Sequence, residues 1–199
     1  MLESMLIDLE NDYEHDLFYN IESWSEESNV LCITGISSSG KSTLANALID
    51  EVGARVISLD SFTLNDPLNG TSGSFMELYR RAYPGIEIVP TEPSQGNFAT
   101  PQFCHFLRFL IPALEERKPW LFIVEGCHFL DLDENILEEL SVANRPLIIK
   151  QISNKRYAKN RRQRDPDLTD DEIRKAIALN NARIREFQEK IERIRQRQG

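Results

Sequence analysis

The chain has 199 residues, of which 41% are hydrophobic and 28% are charged, so the sequence predicts one soluble globular domain with at most a short appendage. No apolar run reaches the ~20 residues of a membrane-spanning helix, no basic and apolar leader opens the chain, and three cysteines do not form a secreted disulfide framework. The net charge of −9 disfavours a general affinity for nucleic acid. We therefore expect a cytoplasmic protein that does not engage a membrane.

The first segment, residues 1–28, is acidic and amphipathic. It carries nine acidic residues and no Lys or Arg. Its apolar residues recur at steps of three and four, the period of one helix face. They are Leu2, Leu6, Leu9, Tyr13, Leu17 and Ile21. The sequence thus predicts a helix over residues 2–21, which either packs on the domain with its acidic face in water or docks a basic partner or the basic C-terminal part of the chain.

Four short apolar runs predict the buried strands of a parallel sheet. They lie at Val30–Thr34 and at residues 56–60, 121–125 and 147–152. Helical patterns separate several of these runs, notably at residues 42–51 and 103–116. Alternation of strands and helices is typical of a parallel sheet that is covered by helices on both faces. The predicted fold class is therefore α/β, with three layers.

Two further segments complete the predicted organisation. Residues 63–102 contain four glycines and five prolines, which predicts irregular structure apart from a short helix at residues 74–82. A long helix is predicted over residues 169–196, opened by a capping box of Thr169 and Glu172. The expected division is an acidic helix in residues 1–28, a core with a lid in residues 29–168, and a C-terminal helix in residues 169–199 that packs on the core.

The strongest motif is GISSSGKS at residues 35–42, which matches G-x-x-x-x-G-K-[ST] and lies between a predicted strand and a predicted helix, as this Walker A motif requires. The backbone N–H groups of such a loop hold phosphates, its lysine reaches the outer phosphates and its hydroxyl binds Mg²⁺. The sequence therefore predicts that ATP and Mg²⁺ bind here. The ATP-binding residues are Gly35, Ser37, Ser38, Ser39, Gly40, Lys41, Ser42 and Thr43.

Two acidic residues are predicted at the carboxyl ends of strands, beside this loop. Asp60 closes the second apolar run and Glu125 closes the third. In an open parallel sheet, ligands bind beyond these ends. Phosphate transfer to an alcohol needs a base for the hydroxyl proton and a ligand for Mg²⁺. We assign the catalytic base to Asp60 and the metal site to Glu125 with Ser42, the alternative being that each acid caps a nearby turn.

Residues 155–164 contain six basic side chains, which form a cluster rather than scattered surface charge. A planar guanidinium can bind two phosphate oxygens and neutralise charge on a phosphoryl group during transfer. We predict that this segment is a lid over the triphosphate. Arg161 and Arg164, together with Lys41, are then catalytic, and Arg156 and Arg162 bind ATP.

Together these motifs resemble the uridine kinase and nicotinamide riboside kinase group of small P-loop kinases. The resemblance runs over residues 30–165. It includes Asp60, Ser61 and Phe62 after the second strand, Glu125 and Gly126 at the end of the third, and Arg164 followed by Asp165 at the end of the lid. It implies a P-loop NTPase fold with strand order 2-3-1-4-5, and it implies that Asp60 is the base.

The chain departs from this group where the acceptor is bound. Thr63 replaces the group's tyrosine, and NFATP at residues 97–101 lacks the carboxylate with which the group holds ribose hydroxyls. A site built around such hydrogen bonds discriminates strongly between acceptors. In addition, no fifth strand is predicted after the lid. The resemblance thus implies retained catalysis with a changed acceptor, and His105 and His128 are candidates for the acceptor pocket.

The sequence therefore predicts an ATP-dependent kinase that transfers the γ-phosphate to a hydroxyl group of a nucleoside-like small molecule. One alternative is a kinase that acts on a hydroxyl of DNA, at a modified base or an end, because the predicted C-terminal helix is rich in Lys and Arg. Nucleic acid is the second choice, since acidic residues at helical spacing offset these bases. Another alternative is a module that binds ATP without catalysis.

Overall fold

Strands and helices alternate along the chain, and every pair of neighbouring strands in the sheet is parallel. The computed structural model describes residues 5–8, 28–63, 70–86 and 100–198. The strands are β1 (Met5–Asp8), β2 (Val30–Thr34), β3 (Arg55–Ser58), β4 (Phe122–Glu125) and β5 (Leu147–Gln151). The helices are α1 (Lys41–Val52), α2 (Asp60–Thr63), α3 (Gly70–Ala82), α4 (Pro101–Glu115), α5 (Glu134–Glu139), α6 (Asn154–Arg164) and α7 (Asp170–Gln198). The predicted α/β class is confirmed.

The five strands lie in the order β1-β5-β2-β4-β3. When the four strands predicted from the sequence are numbered along the chain, their order is 2-3-1-4, as the resemblance implies for these positions. The fifth position, beside β5, is taken by β1. Because all the pairings are parallel, the carboxyl ends of β2, β3, β4 and β5 meet at one edge of the sheet.

The helix predicted over residues 2–21 is wrong for the four residues of β1. Met5–Asp8 forms an edge strand, with Met5 opposite Ile148 and Asp8 opposite Gln151 in β5. The spacing of the leucines favours a helix, but the free backbone edge of β5 offers a parallel partner, and such tertiary pairing overrides local periodicity. The rest of the predicted helix lies outside the described residues.

Side chains on the two faces of the sheet belong to separate cores. Along β2, Val30 and Cys32 face the larger core, whereas Leu31 and Ile33 face a smaller core with Leu44 of α1. Alternation of side chains along a buried strand places successive residues on opposite faces. Helices therefore cover both faces of the sheet, which gives the predicted three layers.

The long helix α7 begins with the predicted capping box and packs on the larger core. The N–H of Glu172 donates to Thr169 Oγ1 at 3.3 Å, and the N–H of Thr169 donates to Glu172 Oε2 at 2.8 Å. One face of the helix buries four apolar side chains in the larger core, namely Ile184, Phe187, Ile191 and Ile194. Among the described helices, none combines the length and the apolar character needed to cross a bilayer.

Gly35 follows the last residue of β2 and begins the next loop. Here the backbone of the loop comes very close to the backbone of β5. Its φ of +145° lies in a region that side chains rarely adopt, and a Cβ at this position would overlap the carbonyl oxygen of Lys150 in β5. Only glycine therefore allows the loop to cross the end of β5 at this distance.

We expect Gly35→Ala to destabilise the protein by about 3 kcal/mol or more, because it adds backbone strain and a clash with a neighbouring strand. Gly53→Ala is the matched control, since Gly53 also has a positive φ, of +64°, but a Cβ there meets nothing within 4 Å. The control should lose only about 1 kcal/mol. Urea unfolding of both variants measures the difference, and equal losses would contradict the close crossing.

Candidate functional site

The loop over residues 35–40 joins β2 to α1 and has a backbone suited to anions. Ser38 and Gly40 have positive φ values of 65° and 89°. Helix α1 begins at Lys41, and its N-cap residue is Gly40, which has no side chain to accept a hydrogen bond from the helix start. Backbone N–H groups in such turns point to one side, and an uncapped helix start leaves further N–H groups available. The loop can therefore hold a phosphate on its backbone, as the motif predicts.

Two polar side chains of the motif are buried, one in the loop and one at the start of α1. Lys41 is 6% exposed, and its Nζ donates to the Ile36 carbonyl oxygen at 2.9 Å. Ser39 is 2% exposed, and its hydroxyl has no hydrogen-bond partner within the described ranges. Burying a cation and an unbonded hydroxyl costs free energy. An anion bound in the loop would satisfy both groups.

Glu125, at the end of β4, is a buried carboxylate of which only one oxygen accepts hydrogen bonds within the described residues. Its Oε1 accepts hydrogen bonds from Ser58 Oγ at 2.6 Å and from Ser42 Oγ at 3.2 Å. Its Oε2 is buried and has no hydrogen-bond partner in the part of the chain that the structure describes. Carboxylate and hydroxyl oxygens are the ligands that Mg²⁺ prefers in proteins. The two predicted metal residues, Ser42 and Glu125, are thus brought together, and their oxygens fit a divalent cation.

Asp60 is the first residue of α2, two residues beyond the end of β3. Its side chain is 44% exposed, and its Oδ1 lies 3.4 Å from Nδ1 of His128, whose side chain is 1% exposed. Burial lowers the pKa of His128 to about 4, against the opposing effect of the Asp60 carboxylate and with a contribution from the positive charge of Lys41. His128 is therefore a neutral imidazole at physiological pH, in contact with an accessible carboxylate.

Cys127 belongs to the same cluster. Single donor atoms of Asp60, Cys127 and His128 all lie within 4.8 Å of one another. Burial raises the pKa of the Cys127 thiol to about 11, so the sulfur stays protonated at physiological pH. Because the thiolate is the form that binds metals, this cluster is better suited to packing around Asp60 than to holding a soft metal ion.

The other candidate histidine, His105, has a different environment. Its Nδ1 lies 2.9 Å from the hydroxyl of Tyr79, and its ring packs edge-on against Tyr83. Tyr79 is fully buried in the larger core. His105 therefore joins an aromatic group between α3 and α4, whereas His128 lies beside the predicted base.

The predicted lid is α6, and its second half contacts the loop. Asn160 Nδ2 donates to the carbonyl oxygen of Ser38 at 3.1 Å, and Arg164 Nη1 donates to the hydroxyl of Ser37 at 2.9 Å. A guanidinium is thus placed directly on the loop. The structure brings together Arg164 and the predicted phosphate-binding residues.

The three other predicted arginines of the lid differ from Arg164 in their contacts. Arg161 pairs with Asp165 at 2.9 Å, and Arg162 pairs with Asp170 at the start of α7 at 2.7 Å. Arg156 is exposed in the first turn of α6. Within residues 28–63 and 100–198, no hydrogen bond joins any of the three to the loop. Arg164 is therefore the lid arginine that the geometry favours for contact with phosphate.

Lys150, in β5, is a residue of this site that sequence reasoning missed. Its side chain is 6% exposed, and its Cε lies 3.9 Å from the position of a Cβ on Gly40. The stem of this lysine therefore runs along the loop. The signal that could have found it is a charge inside the apolar run LIIKQI, because an ammonium is rarely buried without a partner. Asn160 was also missed, since one amide in a basic segment carries no motif.

Comparison of the chain with models of known protein families, with curated proteins and with solved structures gave no match. The residues and distances given above are therefore the basis for assigning a function. They place a loop with a backbone suited to anions, a buried carboxylate and an accessible carboxylate at the same edge of the sheet.

We expect His128 to make the protein less stable as the pH falls from 6.5 to about 4. The unfolded chain takes up a proton near pH 6.5, whereas the folded chain takes it up only near pH 4, so acidification favours unfolding within this window and not above it. The loss is at most about 1.4 kcal/mol per pH unit. Urea unfolding across this range should show a steeper loss for the wild type than for His128→Gln, and parallel curves would contradict a buried neutral histidine.

Proposed function

We propose that the chain is an ATP-dependent kinase of the P-loop NTPase class, which transfers the γ-phosphate of ATP to a hydroxyl group of a nucleoside-like small molecule. The observation that carries this proposal is the contact between Ser42, which ends the phosphate-loop motif, and the buried Glu125 of a neighbouring strand. Asp60 lies at the same edge, just beyond the strand whose Ser58 also bonds Glu125. This combination supports phosphate transfer rather than ATP binding alone.

The loop and the lid supply the groups that bind the triphosphate. The backbone of residues 35–42 and the ammonium of Lys41 hold the phosphates, and Arg164 reaches the same position from α6. Mg²⁺, when bound, neutralises charge on the phosphate oxygens. Ser42 and Glu125 would hold it, since a buried oxygen of this carboxylate has no donor among the described residues. These residues would hold the triphosphate at the edge of the sheet where Asp60 also lies.

Asp60 is the proposed base for the acceptor hydroxyl. Its carboxylate is partly exposed, so an acceptor can reach it, while His128 packs against one of its oxygens. Because burial lowers the pKa of His128 to about 4, the imidazole is neutral and its contact with the carboxylate is not an ion pair. A module that only binds ATP has no need of such a group, which favours catalysis over the binding-only alternative.

The environment of α7 supports a small acceptor over DNA. Six of the eight basic residues of this helix pair with carboxylates of the same chain, so their charge is already compensated. They are Arg174, Lys175, Arg183, Lys190, Arg193 and Arg197. A further one, Arg195, donates to the carbonyl oxygen of Ala143 at 2.9 Å. A DNA backbone would have to displace these partners before it could bind the helix.

Transfer of labelled phosphate from ATP to a panel of nucleosides, sugars and DNA tests the proposed function. We expect a small hydroxyl compound to be labelled, and we expect Lys41→Ala to lower turnover by about 10²-fold or more, because its charge is used mainly while phosphate is transferred. Lys175→Ala is the matched control, since this exposed lysine of α7 pairs with Asp171 and lies outside both the loop and the lid. Wild-type turnover in Lys41→Ala would contradict the proposal.

The two carboxylates should respond differently to removal of their charge. Asp60→Asn keeps the shape but removes the proton acceptor, so turnover should fall by about 10²–10⁴-fold while the affinity for ATP stays nearly constant. Glu125→Gln should instead weaken the dependence of ATP binding on Mg²⁺. Titration calorimetry of both variants with ATP, with and without Mg²⁺, separates these effects. If Asp60→Asn abolishes Mg²⁺-dependent binding, the two assignments are reversed.

A further inference from the structure

A cavity lies at the edge of the sheet opposite the candidate site. We call it the arginine groove, because Arg55, Arg81 and Arg117 line it, and its volume is about 570 Å³. Arg55 begins β3, whereas Ser58 at the other end of this strand bonds the buried Glu125. The two ends are three residues apart along the strand, with a rise of about 3.3 Å per residue. The groove shares no lining residue with the candidate site.

One wall of the arginine groove is apolar and well packed. Phe75 of α3 and Phe122 of β4 are both buried and meet edge to face, with ring centroids 6.0 Å apart. Leu78, one turn further along α3, lines the same cavity and is 36% exposed. A cavity of this size with an aromatic wall is typical of sites for small molecules. The wall suits the flat, apolar part of a ligand.

Two of the arginines stack on aromatic rings. The Cζ atom of Arg117 lies 4.9 Å from the centroid of Phe75, and the Cζ atom of Arg55 lies 3.7 Å from the centroid of Trp120. Stacking uses the face of a guanidinium and leaves the N–H groups on its edge available. Within the described residues, neither arginine forms an ion pair with a carboxylate. Their N–H groups can therefore bind an oxyanion.

The charge of the groove also favours an anion. Arg81 pairs with Glu77 one turn earlier in α3, and among the described residues this glutamate is the acid that lines the cavity together with the three arginines. Three guanidinium groups and one carboxylate of the described residues thus line the groove, in a protein whose net charge is −9. The charged lining of the groove is therefore positive on balance, which favours an anion.

We propose that the arginine groove binds a small organic anion in which a phosphate or carboxylate group is joined to a flat apolar ring. The anionic group accepts hydrogen bonds from Arg55 and Arg117, and the ring packs against Phe75 and Leu78. The proposal does not depend on kinase activity, because no residue of the groove belongs to the proposed catalytic edge.

Titration calorimetry of the full chain with phenyl phosphate and with benzoate tests this proposal. We expect both probes to bind, and we expect Arg117→Gln and Arg55→Gln each to weaken binding by about tenfold or more, as for the loss of a charged hydrogen bond. Phenol and inorganic phosphate should bind more weakly than phenyl phosphate, because each has only one half of the ligand. Arg80→Gln is the matched control, since this exposed arginine of α3 lies next to Arg81 but does not line the cavity.

The Lys41→Ala variant separates the groove from the phosphate loop. Binding of phenyl phosphate that persists in Lys41→Ala and is lost in Arg117→Gln supports the groove. Binding that is lost in Lys41→Ala and kept in Arg117→Gln assigns the probe to the loop and overturns the proposal. Equal binding by Arg80→Gln and Arg117→Gln also overturns it, and so does the absence of binding of either probe at millimolar concentration. Circular dichroism checks the fold of each variant, and Arg55→Gln decides the matter if Arg117→Gln does not fold.

Discussion

A negative charge buried at the edge of a parallel sheet is the constraint on which the rest of this structure depends. Glu125 is almost completely removed from water, and a carboxylate in such a place is costly unless donors reach it. Ser58 approaches from the neighbouring strand and Ser42 from the first turn of α1. One carboxylate therefore ties together two strand ends and the helix that leaves the loop. The direction of α1, and with it the shape of the loop, follows from this contact.

The loop is held on two sides by one continuous stretch of chain. Beneath it lies the backbone of Lys150, so close to Gly35 that only glycine fits, and above it lie Asn160 and Arg164 of α6. Both contacts come from residues 150–164. The geometry of the phosphate-binding motif is thus set as much by β5 and α6 as by the glycines and lysine of the motif itself.

The sequence was sufficient for features that depend on local pattern. The strands β2 to β5, the capping box at Thr169 and the meeting of Ser42 with Glu125 follow from apolar runs, hydrogen-bonding types and the rule that parallel strands end at one edge. Features that depend on distant pairing could not be predicted. Leu6 belongs to a helical spacing of apolar residues, yet pairing with the edge of β5 makes it part of strand β1. The pairing of Arg193 and Arg197 with Glu134 joins positions about sixty residues apart. The charge of Lys150 inside an apolar run indicates a special position, but which loop lies over it depends on the packing of distant segments.

The edge strand β1 has a consequence for the order in which the sheet is completed. It precedes every other described strand in the chain, but its partner β5 follows about 140 residues later, and closing so long a loop costs roughly 4 kcal/mol of chain entropy. During synthesis, the strand that is made first is therefore the strand that pairs last. Until then the backbone of β5 is an open edge, of the kind to which other chains add. Docking of β1 thus closes the β5 side of a newly made sheet to neighbouring chains, while β3 stays the edge strand on the other side among the described strands.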